Sequence, residues 1–176
     1  MQKHFILGEN MLGVNLIFAG FALTLNGVSV ITEVDNKAKG VANALVGFII
    51  AINAVFQTYQ ADSHITFGFA AAMWLFSLNY FIISAHIFLG STNWKVFGLY
   101  GLFASVVSIV FAVDSGISEA YIFVYLWGMW AILWAQTFFA ILVGCKKIDK
   151  FTPHILIING IASTFVPGFL MLLGFI

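Results

Sequence analysis

Six continuously apolar runs, charged only where Lys95 and Glu119 open the fourth and fifth, dominate this 176-residue chain, each long enough to cross a bilayer. A helix needs ~20 mostly apolar residues to span the ~30 Å hydrocarbon layer. The runs lie at about Met11–Thr32, Gly40–Gln60, Ile65–Gly90, Lys95–Val113, Glu119–Gly144 and Thr152–Phe175. They are apolar throughout, so they lack the alternation of a membrane barrel. The first run has no Ala-x-Ala-like exit and flows into a polar turn and a second span, which argues against a cleaved signal peptide. The expected fold is an all-α integral membrane protein, a bundle of six transmembrane helices at 11–176 preceded by a short external extension at 1–10. Only 8% of residues are charged, against ~25% in soluble domains, so a soluble surface cannot be built.

The expected connectors are Glu33–Lys39, Ala61–His64, Ser91–Asn93, Asp114–Ser118 and Cys145–Phe151, too short to hold a folded extramembrane domain. Six of the seven lysines (37, 39, 95, 146, 147 and 150) mark connectors one, three and five. Connectors two and four carry only Asp62, Asp114 and Glu119, so the positive-inside rule puts both termini outside a cell membrane, with Lys3 as the exception. The formal net charge is zero and arginine is absent, which excludes nucleic acid as a partner. Cys145 is the single cysteine; it supports neither a disulfide framework nor a metal centre, and no cofactor is expected.

Inside the spans there is no charged residue, whereas proton-coupled pumps, antiporters and cation channels need such groups. A neutral cargo fits better. Uncharged polar residues are nevertheless frequent there: Asn15 and Asn26, Asn43 and Gln57, Asn79 and Ser84, Gln136 and Thr137, Asn159 and Ser163. Each needs a partner or water in hydrocarbon. Interhelical hydrogen bonding is one account, a narrow polar path the other. Trp127, Trp130 and Trp134 recur at i, i+3 and i+7, on one helix face. Phe76 and Tyr80 repeat the spacing on the third span, and Leu12 and Leu16 on the first. Such a stripe serves either helix packing or a slot lined by flat rings, suited to a small planar solute with polar edges.

The sequence resembles the urea/amide channel family (AmiS/UreI) over nearly its whole length from Met11. The resemblance rests on Met11-Leu-Gly, Asn26-Gly27, Val34-Asp35, the Trp127-x-x-Trp130-x-x-x-Trp134 ladder, Phe151-Thr152-Pro153, Ile157-Ile158-Asn159-Gly160-Ile161 and Val166-Pro167. It implies a six-helix protomer with its own pore, six such protomers in a homo-oligomeric ring, passive transport of urea or short amides, no catalysis, and a functional link to a cytoplasmic urease or amidase. It also implies that Leu12, Leu16, Phe76, Tyr80, Trp127, Trp130 and Trp134 form the constriction. Phe123 stands where the family has a further tryptophan. Asn159 stands where urea-channel members carry a glutamate in the sixth helix. The outer connectors are shorter than those of acid-gated relatives, and residues 1–10 have no counterpart in the family pattern.

Four histidines could respond to pH near neutrality. His4 and His64 are expected outside, His86 and His154 at the inner ends of spans three and six. His64 is either a silent surface residue or, with His4, Glu9, Asp62, Asp114 and Glu119, part of a reduced outer pH gate. The competing functional readings are a passive amide channel, a membrane assembly protein without a pore, and a coupled secondary transporter.

Overall fold

The structure, a computed structural model, describes the backbone of residues 2–176 and the side chains of residues 10–176. Among these residues six helices are long and apolar enough to cross a membrane. They are α1 (Gln2–Ile31), α2 (Asn36–Gln60), α3 (His64–Phe88), α4 (Lys95–Ile117), α5 (Tyr121–Leu142) and α6 (Lys146–Leu172). The backbone of residues 2–10 continues the first span as one helix. His4 and Glu9 lie outside the residues whose side chains are described.

The spans agree with the sequence expectation to within a few residues at most ends, and the exceptions share a cause. Lys37 and Lys39 lie inside α2, because Asp35 caps its N-terminus by accepting from the Ala38 N–H at 2.7 Å. α6 starts at Lys146 rather than Thr152: its lysines are exposed and Asp149 sits in the first turn, where the helix dipole favours a carboxylate. Asp114, expected in a connector, occupies the last turn of α4, which ends only at Ile117. Charges here mark the edge of the membrane and not the end of the helix.

Each helix packs on its neighbour in the chain, and α1 also packs on α6, so the bundle closes into a ring. Glycines make the closing seam. Gly13, Gly20 and Gly27 recur every seventh residue along α1. A Cβ at Gly20 would lie 2.7 Å from the Gly160 carbonyl oxygen, and one at Gly27 would lie 2.7 Å from that of Pro153. Small residues let the two backbones touch, the main route to close helix packing in lipid. Opposite Gly20, residues Gly160–Phe165 are wound as a π-helix. Pro167 lacks the N–H of a regular turn, and its pyrrolidine ring disfavours α geometry one turn earlier. The loosened carbonyls find side-chain donors: Thr164 Oγ1 donates to Gly160 O at 2.6 Å and Tyr125 donates to Ala162 O at 3.0 Å.

Polar side chains buried between helices are paired in the same way. Asn26 and Asn43 exchange two amide hydrogen bonds of 2.9 Å between α1 and α2. About three turns towards the other end, Asn53 donates to Asn15 at 2.9 Å. Part of the polar content of the spans is thus helix-to-helix pairing.

Candidate permeation site

The stripe on α5 faces the interior of the ring. Trp127, Trp130 and Trp134 are 1–3% exposed and share one core with Leu12, Leu16, Phe76 and Tyr80. The helical spacing on α5 and α3 sets the contacts. Phe76 meets Trp130 edge-on, with centroids 5.2 Å apart, and Trp134 at 5.1 Å. Trp127 meets Trp130 edge-on at 5.0 Å. These are favourable aromatic geometries, and they tile the middle of the bundle. Tyr80 stacks on Phe76 at 6.3 Å, and its hydroxyl donates to the Ala19 carbonyl of α1 at 2.8 Å, which fixes the ring across the bundle.

Two donors in this tile are unsatisfied. The indole N–H groups of Trp130 and Trp134 are buried and have no hydrogen-bond partner among the described residues. An orphaned buried donor costs about 1–3 kcal/mol. Two of them within one aromatic cluster form a place where an acceptor would be welcome.

A recess opens at each end of the tile. One is small, about 10 Å³, with a rim that includes His64, Asp114 and Ser115 and a floor of Phe69, Phe111, Phe123 and Trp127. The other, at the lysine-bearing end, is about 130 Å³; Asn26, Asn79, Gln136, Thr137, Asp149 and Thr152 supply its polar lining, and Trp134 and Leu23 close its top. Thr152 donates to Gln136 at 2.8 Å, and Gln136 donates to Thr137 at 3.0 Å.

Of the residues singled out in the sequence, Leu12, Leu16, Phe76, Tyr80 and the three tryptophans come together. Asn159 does not join them. Its amide donates to Ile155 O at 3.2 Å, its oxygen accepts from Ser163 at 3.1 Å, and it lines neither recess. At the small recess, His64 Nε2 lies 4.0 Å from the Asp114 carboxylate and 3.4 Å from the Ser118 hydroxyl. Asp62 stands apart from that pair; Thr66 donates to its carboxylate at 3.4 Å within the cap of α3. Glu119 is exposed and takes a left-handed φ of 57° in the turn between α4 and α5.

Asn79, Gln136 and Thr152 share a recess that their sequence positions do not announce, although the first two stand among the polar residues of the spans. Asn79 lies three residues beyond Phe76 on the same helix face, a spacing that could have linked it to the rings.

A family model, AmiS/UreI family transporter, matches residues 11–175. An acid-activated urea channel of Helicobacter pylori is 28% identical, covering 92% of this chain and 97% of that protein. A Rhodococcus erythropolis protein described as the transporter AmiS2 is 26% identical over 92% of this chain and 79% of its own length. Among solved structures, the Helicobacter pylori urea channel in its closed state superposes with a TM-score of 0.82 at 26% identity, covering 94% of this chain and 99% of that one. The match spans all six helices and the ring-lined interior, and the chain belongs to the AmiS/UreI family of multi-pass membrane transporters.

Proposed function

We infer that each protomer is a passive channel for urea or a short aliphatic amide, which crosses the aromatic tile between the two recesses. The observation that carries this reading is the pair of unpartnered, buried indole N–H groups of Trp130 and Trp134. Urea and acetamide are planar, uncharged and carry a carbonyl acceptor. Their faces stack on the rings, and the carbonyl takes up the orphaned donors. An ion gains nothing comparable. Among the described residues no ionised group lines the tile, so hydration stripped from an ion there is not replaced. Leu12, Leu16, Phe76 and Tyr80 set the width of the passage, Trp127 its outer entry, and the carboxamides of the larger recess receive the solute. Asn159 acts by fixing the π-wound turn of α6 and not by touching the permeant.

The relative named as an acid-activated urea channel supports this class of cargo. The assembly is a homo-oligomer, a hexamer as in the family pattern, in the inner membrane with both termini outside. A cytoplasmic urease or amidase would consume the permeant. The experiment is stopped-flow shrinkage of proteoliposomes: urea permeability above the lipid background is expected, and background values would overturn the reading.

The contact of His64 with Asp114 favours a secondary role for external acid. A charge on the imidazole would be drawn to the carboxylate 4.0 Å away, so external acid acts on the contacts at this mouth. Urea flux measured between about pH 5 and 7.5 is expected to vary; a flat profile removes the gate and leaves the channel.

A further inference from the structure

At the lysine-bearing end, away from the aromatic tile, a recess of about 260 Å³ opens between the first turn of α2 and the turn after α3. Asn36, Lys39, His86, Gly90, Ser91 and Trp94 line it. Two features give it a positive character. Lys39 is half-buried there, and no carboxylate lies within ion-pair distance of it among the described residues. Asp35, one turn before it, spends a carboxylate oxygen on the Ala38 N–H at 2.7 Å.

The second feature is the setting of His86. Its Nδ1 lies 2.9 Å from the Ile82 carbonyl oxygen and its Nε2 lies 3.0 Å from that of Asn93. A carbonyl oxygen only accepts, so both contacts are hydrogen bonds only when both ring nitrogens carry protons. When protonated, the ring donates to both carbonyls. Trp94 lies parallel to it at 4.3 Å and 19°, a face that suits a cation. The Ser91 oxygen accepts from the Asn93 N–H at 3.4 Å, and its own proton has no acceptor among the described residues.

A recess with a lysine ammonium, an imidazole that is doubly hydrogen-bonded when protonated, a free hydroxyl donor and, among the described residues, no lining carboxylate suits a phosphate group. It lies at the ends of two spans, beside a tryptophan, at the depth where lipid headgroups sit. We propose that this recess binds a phosphate group, carried by an anionic phospholipid headgroup or by free phosphate. The site shares no residue with the aromatic tile and does not depend on what crosses it.

Native mass spectrometry of the detergent-purified protein, loaded with phosphatidylglycerol or phosphatidylcholine, tests the lipid source, and calorimetric titration with sodium phosphate tests the free anion. One basic side chain near a headgroup is worth roughly five-fold in affinity. The wild type is expected to retain phosphatidylglycerol over phosphatidylcholine, with the preference falling about five-fold in Lys39→Gln and in His86→Gln. Lys39→Arg and the remote Lys147→Gln are expected to keep it. Heat on adding phosphate, lost in Lys39→Gln, without a lipid preference assigns the site to the free anion. Equal retention of both lipids with no heat from phosphate would overturn the proposal. So would a preference that survives in the Lys39→Gln/His86→Gln double variant.

Discussion

The two recesses at the ends of the aromatic tile differ in size and in chemistry. The small one, about 10 Å³, carries an imidazole and a carboxylate at its rim over a floor of rings. The large one, about 130 Å³, is lined mainly by carboxamides and hydroxyls, with Asp149 as its carboxylate. Titratable contact is thus concentrated where the path is tightest at its mouth, and neutral hydrogen bonding where there is room for a solute to rest. One end carries titratable side chains and the other mainly neutral hydrogen-bonding ones.

The largest expected effect falls on the seam that closes the ring and carries the α1 and α6 walls of the large recess. Gly20→Ala places a Cβ 2.7 Å from the Gly160 carbonyl oxygen, and backbone cannot yield as a side-chain tip can. We expect a loss of about 1–3 kcal/mol, read as a lower thermal midpoint in detergent. An unchanged midpoint would mean that α1 and α6 are less tightly seated than described.

Trp134→Phe acts on the boundary between tile and large recess. It keeps a ring and removes one orphaned N–H. A hydrogen bond to the passing carbonyl is worth about 1 kcal/mol, so urea flux in proteoliposomes should fall roughly five-fold to ten-fold. Unaltered flux would show that the indole donor is not used.

Asn79→Leu tests the large recess alone. The expectation is a drop of about three-fold to five-fold in urea flux, with the pH profile of the wild type retained. If the profile changed as well, the two ends would not be independent.

His64→Gln is the smallest. An exposed ion pair contributes ~0.2–1 kcal/mol, and His64 and Asp114 meet only at 4.0 Å. Acid therefore changes wild-type flux by no more than about five-fold, and the variant should flatten the response while keeping flux near pH 7.5 within about two-fold. A wild-type response of a hundred-fold would require titratable groups beyond this pair.

The periodic features were legible in the sequence. Trp127, Trp130 and Trp134 read as one face because the helix repeat is 3.6 residues, and the structure puts that face inside. The six spans were equally plain, since length and apolarity alone decide them. What escaped depended on a second helix. The close approach of Gly20 to Gly160 joins residues far apart in the chain, and the partner of Asn26 could not be chosen among several span asparagines. Asn159 shows the same limit. Its place in the family pattern suggested the path, but the π-wound turn directs its amide to Ser163 and Ile155. Lysines misplaced the start of α6 because they report where lipid ends, while the hydrogen-bond ladder continues into water.

The seam between α1 and α6 bears on how such a chain is made. The ribosome releases Gly20 long before Gly160, so the wall that closes the ring is missing while the first five spans enter the bilayer. Until the sixth arrives, α1 has no glycine partner, and the indoles of α5 sit in an incomplete cage open to acyl chains. Closure of the conduit within a protomer therefore waits for the sixth span, which brings Gly160 opposite Gly20.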